Sequence, residues 1–295
     1  MSLIPAHRRR ATEDRMNGEK ARVGIVGVGR MGLAMVRHLI KHGHQVIACD
    51  IDDKQLAKAS DIGAANAKTP AEVAHAADFV IVAVGYDEEL RQVVLEVDGL
   101  LANLVPGSVI AISSTAKPDT VKALDQQAQA HGVAILDAPI CRGRFAADEG
   151  TLLALVGGAP EVVERGRAIY SCFCSDYAHL GEVGHGQVGK TMNNLLLWIN
   201  AVGLIEAGRL AETTGIDLVK LRAALLISSG ASNALKEWDM VSFTWALKDM
   251  QIAADLADKA GLSLPITGAI KELVKEARRI KTAGATPKWT GHGNQ

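Results

Sequence analysis

Arg22-Val23-Gly24-Ile25-Val26-Gly27-Val28-Gly29-Arg30-Met31-Gly32 is the stretch on which the fold turns. A short apolar run, Val23 to Val26, enters a glycine turn. From Met31 to Lys41 apolar residues recur at helical spacing, and Gly43 supplies the stop. Strand, glycine turn and helix in that order make the opening of a βαβ unit. Gly27 permits the tight turn, Gly29 lets a pyrophosphate approach the backbone, and Gly32 lets the helix close on the strand. The helix start, where Arg30 and Met31 sit, offers free N–H groups and partial positive charge to phosphates. The plainer reading, a strand–turn–helix without a ligand, lacks the acid found further on.

That acid is Asp50, at the end of a second strand over Gln45 to Cys49. A carboxylate there accepts hydrogen bonds from adenosine ribose hydroxyls and repels a 2′-phosphate. The run continues Asp50-Ile51-Asp52-Asp53, with Lys54 only after it. The expected cofactor is therefore NAD, with NADP second; the plain alternative for Asp50 is a solvated strand-end acid.

Working outward, strands and helices alternate. Phe79 to Val84 is fully apolar, as a parallel strand buried on both faces requires. Ser108 to Ile112, Val133 to Asp137 and Leu152 to Gly157 read as further strands, with a helix over Asp119 to Ala130. This alternation predicts an α/β fold, a Rossmann-type doubly wound sheet. After Gly186 no strand is expected: a long helix over Gln187 to Thr213 is followed by helices over Leu218–Ile227, Trp245–Ala260 and Thr267–Thr282. The expected organisation is a flexible tail over 1–20, an NAD-binding domain over 21–185, and an all-helical C-terminal domain over 186–295 for substrate binding and oligomerisation.

Composition narrows the function classes. Net charge is −1 and aromatic content 4%, so neither a basic stripe nor stacking platforms point to nucleic acid. No apolar run approaches the ~18 residues of a membrane span. Arg8-Arg9-Arg10 precede no apolar stretch, and Glu13 and Asp14 count against organelle targeting. Cys49, Cys141, Cys172 and Cys174 form no metal-ligand spacing and read as reduced thiols of a cytoplasmic protein, so no metal is expected.

Three later segments carry chemistry: Asp137-Ala138-Pro139-Ile140-Cys141-Arg142-Gly143; Gly181 through Lys190 to Asn194; and Phe243 to Asp249. With the Gly27–Gly32 turn they resemble the β-hydroxyacid dehydrogenase family, of the 3-hydroxyisobutyrate dehydrogenase and tartronate semialdehyde reductase type. The resemblance runs from about Arg22 to Gly284. It implies that Lys190 is the catalytic acid/base, a cation that protonates a carbonyl oxygen or a neutral amine that takes an alcohol proton. Asn194, one helical turn on, shares its face and would hold substrate or orient the lysine. The resemblance places Val84, Gly85 and Thr115 at the cofactor, Ser114 at the substrate beside the nicotinamide, and Lys248 over both. A turn-capping role is the plain alternative for Ser114 and Thr115.

One departure stands out. The family's loop reads Ser-Gly-Gly where this chain has Cys141-Arg142-Gly143. Cys141 is a weaker donor than serine, while Arg142 adds a guanidinium suited to an anion. A small anionic substrate held by Cys141, Arg142 and Gly143 is expected; the plain alternative pairs Arg142 with Asp148 or Glu149. Two other readings remain: an imine reductase, which shares the architecture without the lysine, and a non-catalytic NAD(P)-binding protein, which needs no Lys190–Asn194 pair. The apolar helix after Gln187 further predicts a homodimer or homotetramer.

Overall fold

The computed structural model describes residues 21–291; the expected tail over 1–20 lies outside the described residues. The described residues divide into two compact units, 21–190 and 191–291.

In the first unit the strands are β1 (Arg22–Val26), β2 (Gln45–Cys49), β3 (Ala65–Ala67), β4 (Phe79–Val82), β5 (Val109–Ile112), β6 (Ala134–Asp137), β7 (Ile140–Cys141), β8 (Leu152–Gly157) and β9 (Cys174–Gly181). They form one sheet in the order β3-β2-β1-β4-β5-β6-β8-β7, with β9 on β8. The first six strands in chain order pair only in parallel with one another, in a dinucleotide-binding order. β8 runs antiparallel to β6 and β7.

Helices cover both faces, and the strand residues divide between them with period two. Val23, Ile25, Phe79, Ile81, Val109 and Ala111 face a core with α1 (Arg30–Lys41) and α7 (Pro160–Tyr170). Val80, Val82, Ile110 and Ile112 face another, with α3 (Pro70–Ala76), α4 (Asp87–Leu95) and α5 (Pro118–Ala130). Two buried faces explain why β4 is apolar at every position. Helix α2 (Asp53–Ile62) follows β2, and the short α6 (Gly143–Glu149) follows β7. Buried His38 of α1 contacts the Ala147 carbonyl of α6 at 3.0 Å.

The long helix α8 spans His185–Glu212. The first unit includes the opening turn of α8, which is hydrogen-bonded to Asp137 at the end of β6. Among its described residues the second unit holds helices joined by loops and no strand: the remainder of α8, then α9 (Leu218–Leu225), α10 (Asn233–Lys236), α11 (Ala246–Lys259) and α12 (Pro265–Thr282). Trp198, Trp238 and Trp289 anchor its core, and each indole N–H has an acceptor: Asp249, the Pro287 carbonyl and the Leu204 carbonyl. Among the described residues no helix is long and apolar enough to cross a membrane.

Candidate active site

The cofactor side begins at the turn after β1. Gly27 stands at φ +92°, where a Cβ would fall 2.5 Å from the Ala83 carbonyl oxygen. A Cβ on Gly32 would overlap the Gly27 carbonyl oxygen, so this glycine is what lets α1 pack on the turn. Gly29 differs: a Cβ there meets nothing within 4 Å, and no side chain caps α1. An open backbone face beside an uncapped helix start fits a dinucleotide pyrophosphate.

Asp50 joins that turn to the end of β2. Its Oδ2 accepts the Val28 N–H at 2.7 Å and its Oδ1 the Asp52 N–H at 2.9 Å. A carboxylate has about four lone-pair sites, so two bonds leave acceptors for ribose hydroxyls. Arg30 and Met31 lie in the first turn of α1, but the Arg30 guanidinium pairs with Asp148 of α6. That hydrogen bond holds the Asp148 carboxyl below the usual carboxylate range.

Val84 and Gly85 follow β4. The Val84 N–H donates to Ser114 Oγ at 2.8 Å, and the Gly85 N–H to Glu89 at 2.8 Å. The Ser114 hydroxyl also reaches the Val82 carbonyl at 3.4 Å. Ser114 thus ties the ends of β4 and β5 together by bonds across the sheet, and half-buried Thr115 follows it.

The other side of the site is built on Asp137, fully buried at the end of β6. Its Oδ2 accepts the N–H groups of Gly184 at 2.9 Å and Gln187 at 3.0 Å; its Oδ1 accepts Gln187 Nε2 at 3.0 Å. Burial pushes this carboxyl up to about 6 against the pull of those donors. Gln187 also donates from Nε2 to the Ser114 carbonyl at 3.0 Å and accepts the Ala116 N–H on Oε1 at 2.9 Å. One turn beyond Gln187, Lys190 directs its Nζ at Cys141 Sγ, 3.8 Å away.

The structure therefore brings Lys190 to the Cys141 loop, and its helix to the Ser114–Thr115 segment. It takes the Arg142 guanidinium elsewhere, onto Asp176 of β9 at 2.6 Å, Ser175 at 2.9 Å and the Thr151 carbonyl at 3.1 Å. The partner is neither Asp148, which Arg30 engages, nor Glu149, but an acid of β9, the strand beside β8. Arg142 and Gly143 adopt left-handed φ values of 83° and 72°, the second at no cost to glycine. In the second unit, Asn194 Oδ1 accepts from Asn193 Nδ2 at 3.0 Å, and Lys248 Nζ lies 5.7 Å from the Trp245 ring centroid.

Asp137 and Gln187 lie inside the segments that carry chemistry, but the sequence assigns neither a role. The available signal was an acid ending an apolar strand, as Asp50 does. Among the described residues no group of three or more His, Cys, Asp or Glu side chains could hold a metal ion.

Comparisons with known proteins agree with this layout. The family described as the NAD binding domain of 6-phosphogluconate dehydrogenase matches residues 22–192. The one described as NAD-binding of NADP-dependent 3-hydroxyisobutyrate dehydrogenase matches residues 184–286. The NAD-dependent L-serine dehydrogenase of Pseudomonas aeruginosa is 31% identical over 217 residues, covering 74% of this chain and 73% of the relative. The mitochondrial 3-hydroxyisobutyrate dehydrogenase of Mus musculus is 33% identical over 216 residues, covering 73% of this chain but 64% of the mouse protein. The solved Mycobacterium tuberculosis 3-hydroxyisobutyrate dehydrogenase with L-serine has a TM-score of 0.79 at 24% identity, covering 91% of this chain and 96% of that one, and so shares the fold. With two matching families spanning both units, the chain belongs to the β-hydroxyacid dehydrogenase family, NAD(P)-dependent oxidoreductases acting on CH–OH donors.

Proposed function

We propose that this chain interconverts a small anionic 3-hydroxyacid and its semialdehyde, with Lys190 as the acid/base. The observation that supports it most is the Lys190 amine, directed at Cys141 in the loop that holds substrate in the resembling family. A bound nicotinamide supplies or accepts the hydride. In oxidation, neutral Lys190 takes the hydroxyl proton as the C–H bond to the same carbon breaks; in reduction, the ammonium returns that proton to the carbonyl oxygen. Ser114 and the Cys141–Gly143 loop line the substrate position in this reading. Asn194 orients substrate or lysine, and Lys248 contacts substrate and cofactor.

NAD is the proposed cofactor, on the strength of the Asp50 carboxylate at the turn. The matched families and relatives carry both NAD-dependent and NADP-dependent descriptions. Exposed Leu196, Leu210 and Ile227 in the helical unit support a homodimer or homotetramer, and four buried free thiols support a reducing, cytoplasmic setting. The test is a panel of 3-hydroxyacids and semialdehydes, L-serine and 3-hydroxyisobutyrate included, each run with NAD(H) and NADP(H). Turnover with NAD(H) preferred is expected. No turnover across the panel would refute the activity, and preference for NADP(H) would refute the cofactor assignment.

A further inference from the structure

We propose that Asp137 and Gln187 are positioning residues for the reaction: together they fix the Lys190 amine relative to the Ser114–Ala116 segment. The inference rests on the reading of Lys190 as acid/base. Both residues lie in the segments that carry the family resemblance, but the resemblance assigns no role to Asp137 or Gln187.

Both side chains are fully excluded from solvent, with 0% exposure. Every polar atom of the pair is engaged, and the partners come from three separated places in the chain. Asp137 ends β6. Gly184 immediately precedes α8 and Gln187 lies in its first turn. Ser114 and Ala116 follow β5. The carboxylate sits at the positive end of α8 and takes two of the N–H groups that a helix start leaves unsatisfied. Lys190 lies at i+3 from Gln187, so the two side chains leave neighbouring points of one helix face.

The glycines around the network leave little room for the helix to slide. A Cβ on Gly186 would fall 2.7 Å from the Leu155 carbonyl oxygen and 2.8 Å from that of Asp137. One on Gly189 would overlap the Leu180 side chain. The helix start is therefore in direct backbone contact with the sheet, and the Asp137–Gln187 pair fixes its register. The same Gln187 amide holds the segment beside the nicotinamide in the resembling family. The proton-transfer group and the hydride-transfer position thus share one buried reference point. Misplacing a reacting group by about 1 Å can cost on the order of a hundredfold in rate.

Reversing the polarity of the pair tests this without emptying the space. In Asp137→Asn the new amide N–H₂ faces Gln187 Nε2, donor against donor. In Gln187→Glu two carboxylates meet. In the double exchange the new amide donates to the new carboxylate, while the Ser114 carbonyl loses its donor and faces a carboxylate oxygen. Gln187→Met removes the amide at similar length. Measured on the best panel substrate, each single variant should lose roughly a hundredfold in kcat, with KM and NAD affinity within about threefold of the parent. The double exchange should recover at least about tenfold over either parent single variant. A folded Gln187→Met enzyme with unchanged kcat would overturn the proposal, as would failure of all four variants to fold, which would make the pair a structural staple. Lys190→Ala run alongside separates the levels: its full activity refutes the acid/base reading, whereas its inactivity beside active pair variants refutes the positioning alone.

Discussion

The two glycine-rich turns of this protein use the same local architecture in opposite ways. Each leads from a strand of the sheet into the start of a helix. At Gly27–Gly32 the helix start has no side-chain cap and Gly29 faces open space. At Gly181–Gly189 the helix start is filled from within: Asp137 takes its N–H groups, and the glycine faces meet protein atoms. A helix N-terminus attracts an anion in either case. In the first the anion has to come from outside, so the turn is a binding site. In the second the anion is a buried side chain, so the turn is a mount for Lys190.

The largest effect that distinguishes the turns is an added methyl group. Gly186→Ala forces a Cβ against two carbonyl oxygens, at 2.7 and 2.8 Å, and should destabilise the fold by about 3 kcal/mol, at the upper end of overpacking costs. Gly29→Ala meets nothing within 4 Å, so its melting temperature should stay near the parent's while NAD affinity falls at least about tenfold, a loss of about 1.4 kcal/mol. Thermal melts and NAD titrations on both variants check the contrast. Equal stability of the two would break it.

The mount's internal anion leaves a pH signature. Burial pushes the Asp137 carboxyl up to about 6 in the fold, against about 3.9 for an unperturbed aspartate. The folded state therefore holds the extra proton inside that window. Its stability contribution from this group rises as pH falls from about 6 to about 4 and is lost above. At about 1.4 kcal/mol per pH unit the full swing approaches about 3 kcal/mol. The stability difference between the parent and Asp137→Asn, read by urea unfolding, should move in the parent's favour as pH drops through the window. A flat difference would contradict a carboxyl whose proton affinity is raised by burial.

Smaller still is the effect at Arg142, between the two turns. Its left-handed φ of 83° costs a non-glycine residue about 1 kcal/mol. Its exposed pair with Asp176 contributes about 0–1 kcal/mol in return. Arg142→Gly should be close to neutral in thermal melts and Arg142→Ala measurably worse. If Arg142→Gly is the worse of the two, the left-handed φ is not the controlling cost at this position.

The difference between the turns also marks what could be read from sequence. The Gly27–Gly32 turn, Asp50, the apolar central strands and the long helix all follow from local pattern, because neighbours in sequence create them. Strand β9 does not: Cys174-Ser175-Asp176-Tyr177 has no alternation and its residues are largely exposed. Missing it left Asp176 unseen as the partner of Arg142. β3 is an Ala-Asn-Ala edge of three residues, too short for a period. Asp137 and Gln187 lie fifty residues apart in sequence, and only the packed sheet brings them together. Lys190 was legible through a family pattern; what holds it in place was not.

The account stands or falls on Lys190. Lys190→Ala should bind NAD like the parent and keep its melting temperature, yet lose turnover of the best panel substrate by at least about a hundredfold, the scale expected for removal of a positioned acid/base. Turnover within about threefold of the parent, in a variant that still binds NAD, would show that the proton travels by another route.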